Sequence, residues 1–165
     1  MRRIPVLAAV LLIVPLTSGN RAFGRGSSSH FGVKSLKGIG AVRVVVEDLD
    51  DDAKALGLDE QTIQTDAELK LRLAGMRVLS DAEWIVALGQ PYLYLRVTAT
   101  GGAAAYEVAL CQNARLGRNG DLAAGVITWS QLSADSNPTA AGVRNGIKDL
   151  VDTFLSDWLS VNPKK

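Results

Sequence analysis

Two runs of strict polar–apolar alternation, split by Gly101-Gly102, constrain this chain more than any other feature. Residues 92–100 alternate, and so do residues 104–116. A glycine pair between alternating runs specifies a two-residue β-hairpin, because both turn positions need a positive φ. Pairing Thr100 with Ala103 fixes the register. Leu93, Leu95 and Val97 then lie opposite Leu110, Val108 and Tyr106 on one face. The other face sets Arg96 opposite Glu107, an opposite-charge cross-strand pair. A slip by one residue would turn the apolar set toward water. Asn119-Gly120 marks a second tight turn. Closing it with Arg118 opposite Asp121 puts Leu110 across from Trp129 and Gln112 across from Ile127. Both turns select the same inner face, so this region reads as a three-stranded meander.

The flanking segments supply the other layer. Residues 41–47 read as a strand with Val42, Val44 and Val46 on one face. Asp59 is an N-cap, and Leu58 and Ile63 are spaced as a hydrophobic staple across it. The helix it starts runs from Glu60 to Ala74, with Ile63, Ala67, Leu71 and Ala74 on one stripe and Gly75 as its stop. Residues 76–79 form a short strand, so strand, helix and strand make a parallel crossover. Asn137-Pro138 reads as the cap of a last helix, with Pro138 at its first position. Val143, Ile147, Leu150, Val151, Phe154, Trp158 and Val161 form its apolar stripe; Arg144, Lys148, Asp149, Asp152, Ser156 and Asp157 take the opposite side. The fold class is α+β: a two-layer sandwich with a mixed sheet, order β-α-β-β-β-β-α, and two helices on one face.

The first residues read as an export address. Arg2 and Arg3 precede an apolar run over residues 4–16, and Thr17-Ser18-Gly19 turn the chain polar, as in a secretory signal peptide. The run is shorter than the roughly 20 residues that cross a bilayer. The expected organisation is a signal peptide over residues 1–24, a flexible leader over 25–37 and a single domain over 38–163. Cleavage after Gly24 removes Arg2, Arg3 and Arg21, leaving 15 basic against 17 acidic side chains. That balance offers nucleic acid no basic patch. Cys111 is the only cysteine, so no internal disulfide is available. No cysteine follows the apolar run to carry a lipid. The expected product is periplasmic or secreted, with no direct membrane anchor once the signal is removed.

The order of elements over residues 37–162 resembles the small bacterial envelope domains typified by the lipopolysaccharide-assembly lipoprotein and the amino-terminal domain of the Tol-system propeller protein. The stretches Glu68-Leu69-Lys70-Leu71-Arg72-Leu73-Ala74-Gly75-Met76-Arg77-Val78 and Phe154-Leu155-Ser156-Asp157-Trp158-Leu159-Ser160-Val161-Asn162-Pro163 are similar to uncharacterised exported bacterial proteins. The resemblance implies an envelope setting. The chain departs from the lipoprotein in lacking a lipid-attachment cysteine, and no functional residues are carried over.

Catalytic and metal sets are incomplete in the sequence. Asp48, Asp50 and Asp52 match the first ligands of a calcium loop, but Ala53 replaces the turn glycine and Asp59 the bidentate glutamate. His30 is the only histidine and lies in the leader, which leaves Cys111 and every serine without a base from the domain. Gly38-Ile39-Gly40 and Gly117-Arg118-Asn119-Gly120 are turn glycines and not phosphate loops. The expectation is a protein that is not an enzyme, with no cofactor and no metal.

The face away from the helices carries Tyr92, Tyr94, Arg96, Glu107, Asn113, Arg115 and Thr128. Tyrosine and arginine are interface-anchoring types. Tyr92, Tyr94, Arg96, Glu107 and Arg115 are the candidate binding face of an adaptor for another envelope protein. One alternative is a small-ligand carrier with a pocket between helices and sheet, where Gln112 is the polar residue. A third reading is a hydrolase-type enzyme using Glu83, Glu107 or Asp135. An unprotected sheet edge would pair with a second copy and make a homo-oligomer.

Overall fold

A computed structural model describes residues 30–163. In chain order the elements are α1 (His30–Lys34), β1 (Ala41–Val46), α2 (Asp51–Ala55), α3 (Glu60–Ala74), β2 (Arg77–Val78), α4 (Asp81–Ile85), β3 (Tyr92–Thr100), β4 (Ala103–Arg115), β5 (Leu122–Ser136) and α5 (Ala140–Val161). The strands make one mixed sheet in the order β2-β1-β3-β4-β5. β1 runs parallel to β2 and β3, and the β3-β4-β5 meander is antiparallel. The expected α+β sandwich is therefore the observed one. The proposed signal peptide lies outside the described residues.

α3 and α5 cover one face of the sheet. Phe154, Ile63, Leu71, Leu93, Leu110, Val108, Val143 and Val151 are fully buried between the layers. Each such side chain contributes about 1.5–3 kcal/mol relative to exposure. The two helices lie side by side, joined by Arg144 on Asp66 (3.0 and 2.7 Å) and Lys70 on Asp152 (2.6 Å). Gly146 is what lets α5 sit so close to the sheet. A Cβ there would stand 2.6 Å from Cε2 of the buried Tyr106 ring, with its Cζ and hydroxyl nearer still.

The first hairpin has the register derived above, from Tyr92↔Cys111 to Thr100↔Ala103. The second reaches the expected pair Leu110↔Trp129 by another route. Its turn is not the tight Asn119-Gly120 turn: Leu116 N–H donates to Asp121 O, so four residues loop out in place of two. That displaces β5 by two positions, and Ala114 pairs with Ala123. Two bulges then restore the register. Thr128 is the extra residue of one, and Gly125, at φ +61°, lies in the other. Between the bulges the expected pairs are corrected. Gln112 faces Val126 rather than Ile127, and Cys111 faces Ile127 rather than Thr128.

Other boundaries also move. Residues 30–37 were expected to be part of a flexible leader; instead they pack on the domain. Leu36 is completely buried, Asn162 Nδ2 donates to its carbonyl (2.9 Å), and Ser35 Oγ donates to Thr128 O (3.2 Å). Residues 25–29 lie outside the described part. The cap of α5 is Thr139, whose hydroxyl accepts Gly142 N–H at 3.0 Å, rather than Asn137-Pro138. Asn137 instead closes the sheet at φ +55°, donating to Gly102 O. The strand expected over residues 76–79 narrows to Arg77–Val78 because Met76 turns into the core. The acidic exit from β1 becomes α2, because Asp50 Oδ1 accepts Ala53 N–H at 2.7 Å and Oδ2 accepts Ala99 N–H at 3.0 Å.

Candidate interaction surface

Among the described residues, α4 is the helix over the sheet face opposite α3 and α5, at the β1–β2 end. Strand alternation and the observed pairs set its side chains in rows. Arg43, Tyr92, Cys111 and Ile127 form one row; Val45, Tyr94 and Ala109 the next; Glu47, Arg96, Glu107 and Leu132 a third. β4 contributes small residues between taller ones on β3 and β5. The tyrosines roof that floor: Ala109 and Cys111 are buried although no helix among the described residues covers them. Tyr92 reaches across β4, and its hydroxyl stands 3.2 Å from where a Gly125 Cβ would be.

α4 extends the tyrosine ridge. Ser80 and Glu83 form a capping box that starts the helix. The helix delivers Trp84 to Tyr92 at 6.0 Å, edge to face, and Tyr92 meets Tyr94 the same way at 6.5 Å. Arg43 stacks 5.3 Å from the Trp84 ring centre and pairs with Asp81 at 2.8 Å. At the other end Arg96 binds Glu107 at 2.9 Å and lies 3.9 Å from Glu47. Past Trp84 the chain exposes Ile85, Val86 and Leu88, the last entirely. Val86 and Leu88 border a cleft of about 790 Å³ that runs to Lys37 and Arg77.

The electrostatics follow from burial. Tyr94 is pushed up to about 12 by desolvation first and by the Glu47 carboxylate beside it. Tyr92 is raised, again mainly by burial. Burial also raises the Cys111 thiol, with Glu107 adding to it, so this cysteine sits far from the electropositive setting that activates a thiol. Glu83 is drawn down to about 2 by the Ser80 backbone and hydroxyl and by Arg77.

Of the sequence-derived candidates, Tyr92, Tyr94, Arg96 and Glu107 come together on this face. Arg115 does not join them. It lies eight residues along β4 from Glu107, about 27 Å at the rise of a strand, and donates to Gly120 O in its own loop. Thr128 leaves the face too: its hydroxyl accepts Gln112 Nε2 at 2.9 Å in the bulge. Asn113 ties the Gln90 side chain to the Gly125 backbone. Arg43 and Trp84 were missed. Their place depends on how residues 79–91 fold back over β1, although the Ser80-to-Glu83 spacing signalled the helix.

The three carboxylates considered for hydrolysis do not converge. Glu83 is held by Ser80 and Arg77, Glu107 by Arg96 on the outer face, and Asp135 accepts from Tyr106 at 3.3 Å on the inner one. Among the described residues no group of His, Cys, Asp and Glu is arranged for a metal ion. Asp50 and Asp59 use their oxygens as helix caps. Between the layers, where the carrier reading places its pocket, the described residues pack as one core cluster that includes Ile63, Leu93, Leu110 and Phe154. Gln112, its expected polar ligand, ties residues 30–37 down through Ser35 O (3.3 Å).

No protein-family model and no curated protein sequence matches this chain. Among solved structures it is similar to the PelC dodecamer from Paraburkholderia phytofirmans, at 17% identity and a TM-score of 0.42, over 73% of this chain and 87% of that one. A point variant of that dodecamer in a second crystal form gives 17% identity and a TM-score of 0.43, over 74% and 89%. A likeness at this level assigns neither family nor function.

Proposed function

We propose that this protein is a non-enzymatic, exported binding module of the bacterial envelope that holds a partner protein on its outer sheet face. The observation that carries the reading is the aromatic ridge Trp84–Tyr92–Tyr94 on the sheet face away from α3 and α5. Arg43 and Arg96 flank the ridge, and the exposed tip Ile85–Val86–Leu88 continues it. Aromatic side chains already fixed by their neighbours lose little entropy on binding, and arginines at their ends add direction. The export pattern and the resemblance in element order support the envelope setting. The hydrolase reading finds no converging carboxylates in Glu83, Glu107 and Asp135.

The test is site-specific photocross-linking in cells. A photoreactive residue at Val45 or Thr98 samples the outer face; one at Leu73, exposed on α3, samples the helix layer. The expected result is one reproducible partner captured from positions 45 and 98 and not from 73. Equal capture from both layers, or none from the outer face, overturns the proposal.

A further inference from the structure

The two edges of the sheet are protected very differently. On one side β2 pairs with only the start of β1, and the rest of that edge lies in a cleft of about 610 Å³ between Glu68 and Arg72 of α3 and Asp81 and Glu83 of α4. On the other side β5 is 15 residues long and has no strand beyond it. Its first half is blunted by the two bulges and by Ser35 on the Thr128 carbonyl. Its second half, residues 129–136, has no lysine, no proline and no bulge, and among the described residues no strand pairs with it beyond β4. Asp135 is its one charged residue.

The hydrogen-bond phase shows what this edge offers. Asn137 N–H donates to Gly102 O at 2.7 Å. Bonded and non-bonded pairs alternate along an antiparallel ladder. Asp135, Ser133, Gln131 and Trp129 therefore bond to β4. Ser130, Leu132, Ala134 and Ser136 turn their N–H and C=O groups to the free edge, and all four are exposed.

We propose that this edge pairs antiparallel with the same edge of a second copy, about a twofold axis through Leu132. The pairing is self-complementary. Leu132 meets Leu132 of the partner subunit in a bonded pair, and Ser130 meets Ala134 of the partner subunit. Asp135 falls opposite Trp129 of the partner subunit and not opposite its own equivalent, so no like charges face across the junction. Leu132, otherwise an exposed apolar side chain, gains an apolar neighbour. The product is a continuous ten-stranded sheet with two outer faces on one side. This edge pairing uses backbone groups of β5 and none of the aromatic ridge.

Sedimentation of the exported, purified protein over a concentration series tests it, alongside hydrogen exchange of the edge amides. Leu132→Lys places a charge on the axis. Ala134→Pro removes an N–H that points to the free edge and leaves the β4 ladder intact. The expected result is a concentration-dependent dimer that both variants convert to a monomer with unchanged circular dichroism. Leu132 and Ala134 amides should exchange more slowly as concentration rises. A monomer at every concentration overturns the proposal, including one whose edge takes up a strand from another protein. So does an oligomer that both variants leave intact, or one whose edge amides exchange at the same rate throughout.

Discussion

Gly146→Ala is a substitution for which helix propensity and packing predict opposite signs. Alanine is favoured over glycine inside a helix by about 1 kcal/mol. Here the added methyl would stand 2.6 Å from Tyr106 Cε2 and closer to Cζ and the hydroxyl. Tyr106 is buried against β5 and α5, so its ring cannot swing into water. Overpacking of this kind costs about 1–3 kcal/mol, and pushing the hydroxyl off Asp135 costs about 1 more. The net expectation is a loss of about 1–3 kcal/mol after the propensity gain is subtracted. Urea unfolding followed by circular dichroism measures it. The decisive arm is the double variant. With Tyr106→Leu in place the obstacle is gone, and Gly146→Ala should raise stability by about 1 kcal/mol, reversing its sign. If Gly146→Ala stabilises the otherwise unchanged protein by that amount, the ring is not lodged against the helix and the reasoning fails.

Asp50→Ala should cost about 2 kcal/mol, since one carboxylate caps both α2 and the Ala99 N–H; a urea midpoint unchanged from the parent would refute this double role. Tyr94, held at about 12, should stay neutral where ordinary tyrosines have ionised. Its raised folded value means a stabilising contribution that is full below about 10 and lost as pH rises through 12, read by ultraviolet titration against a Tyr94→Phe control. Glu83 has the opposite sign. Its depressed value preserves the α4 cap above the ordinary glutamate value of 4.5, and the cap should fray as pH falls toward about 2, followed by carboxyl NMR shifts. Cys111 should react with a thiol reagent only after unfolding, because burial raises its pKa and Tyr92 lies over it; rapid modification of the native protein would contradict the roofed floor of the outer face.

The first hairpin was legible because Gly101-Gly102 and unbroken alternation leave one register. Leu110↔Trp129 was also reached, but by a derivation that hid two compensating features: a longer loop and two bulges. Alternation carries no mark of an inserted residue when the neighbours are Ala123, Ala124 and Gly125, which are indifferent to which face they take. The five-residue helices α1, α2 and α4 escaped for a related reason: they are too short for periodicity to register. The signals of α2 and α4 were their caps, Asp50 and Ser80, and Asp50 was read against a calcium loop instead. Half of the candidate surface, from Tyr92 to Glu107, followed from register alone. The other half, Arg43 with Trp84, needed the path of a connection that turns back over the sheet. Arg115 shared the correct face but not the neighbourhood, since face is a local property and position along a strand is not.

Asn162 has a consequence for when this domain closes. Its side chain accepts Gly38 N–H at 2.7 Å and donates to Leu36 O at 2.9 Å, while Trp158 Nε1 reaches Ile39 O at 2.7 Å. These bonds span separations of 119 to 126 residues, so they enclose nearly the whole described chain in one loop. Such contacts are the slowest to form. Gln112 and Thr128 hold Ser35, but residues 36–39 gain these bonds only once the final turn of α5 has left the ribosome. α5 thus fastens the segment that leads into β1, and a chain cut before Trp158 would keep that seam open.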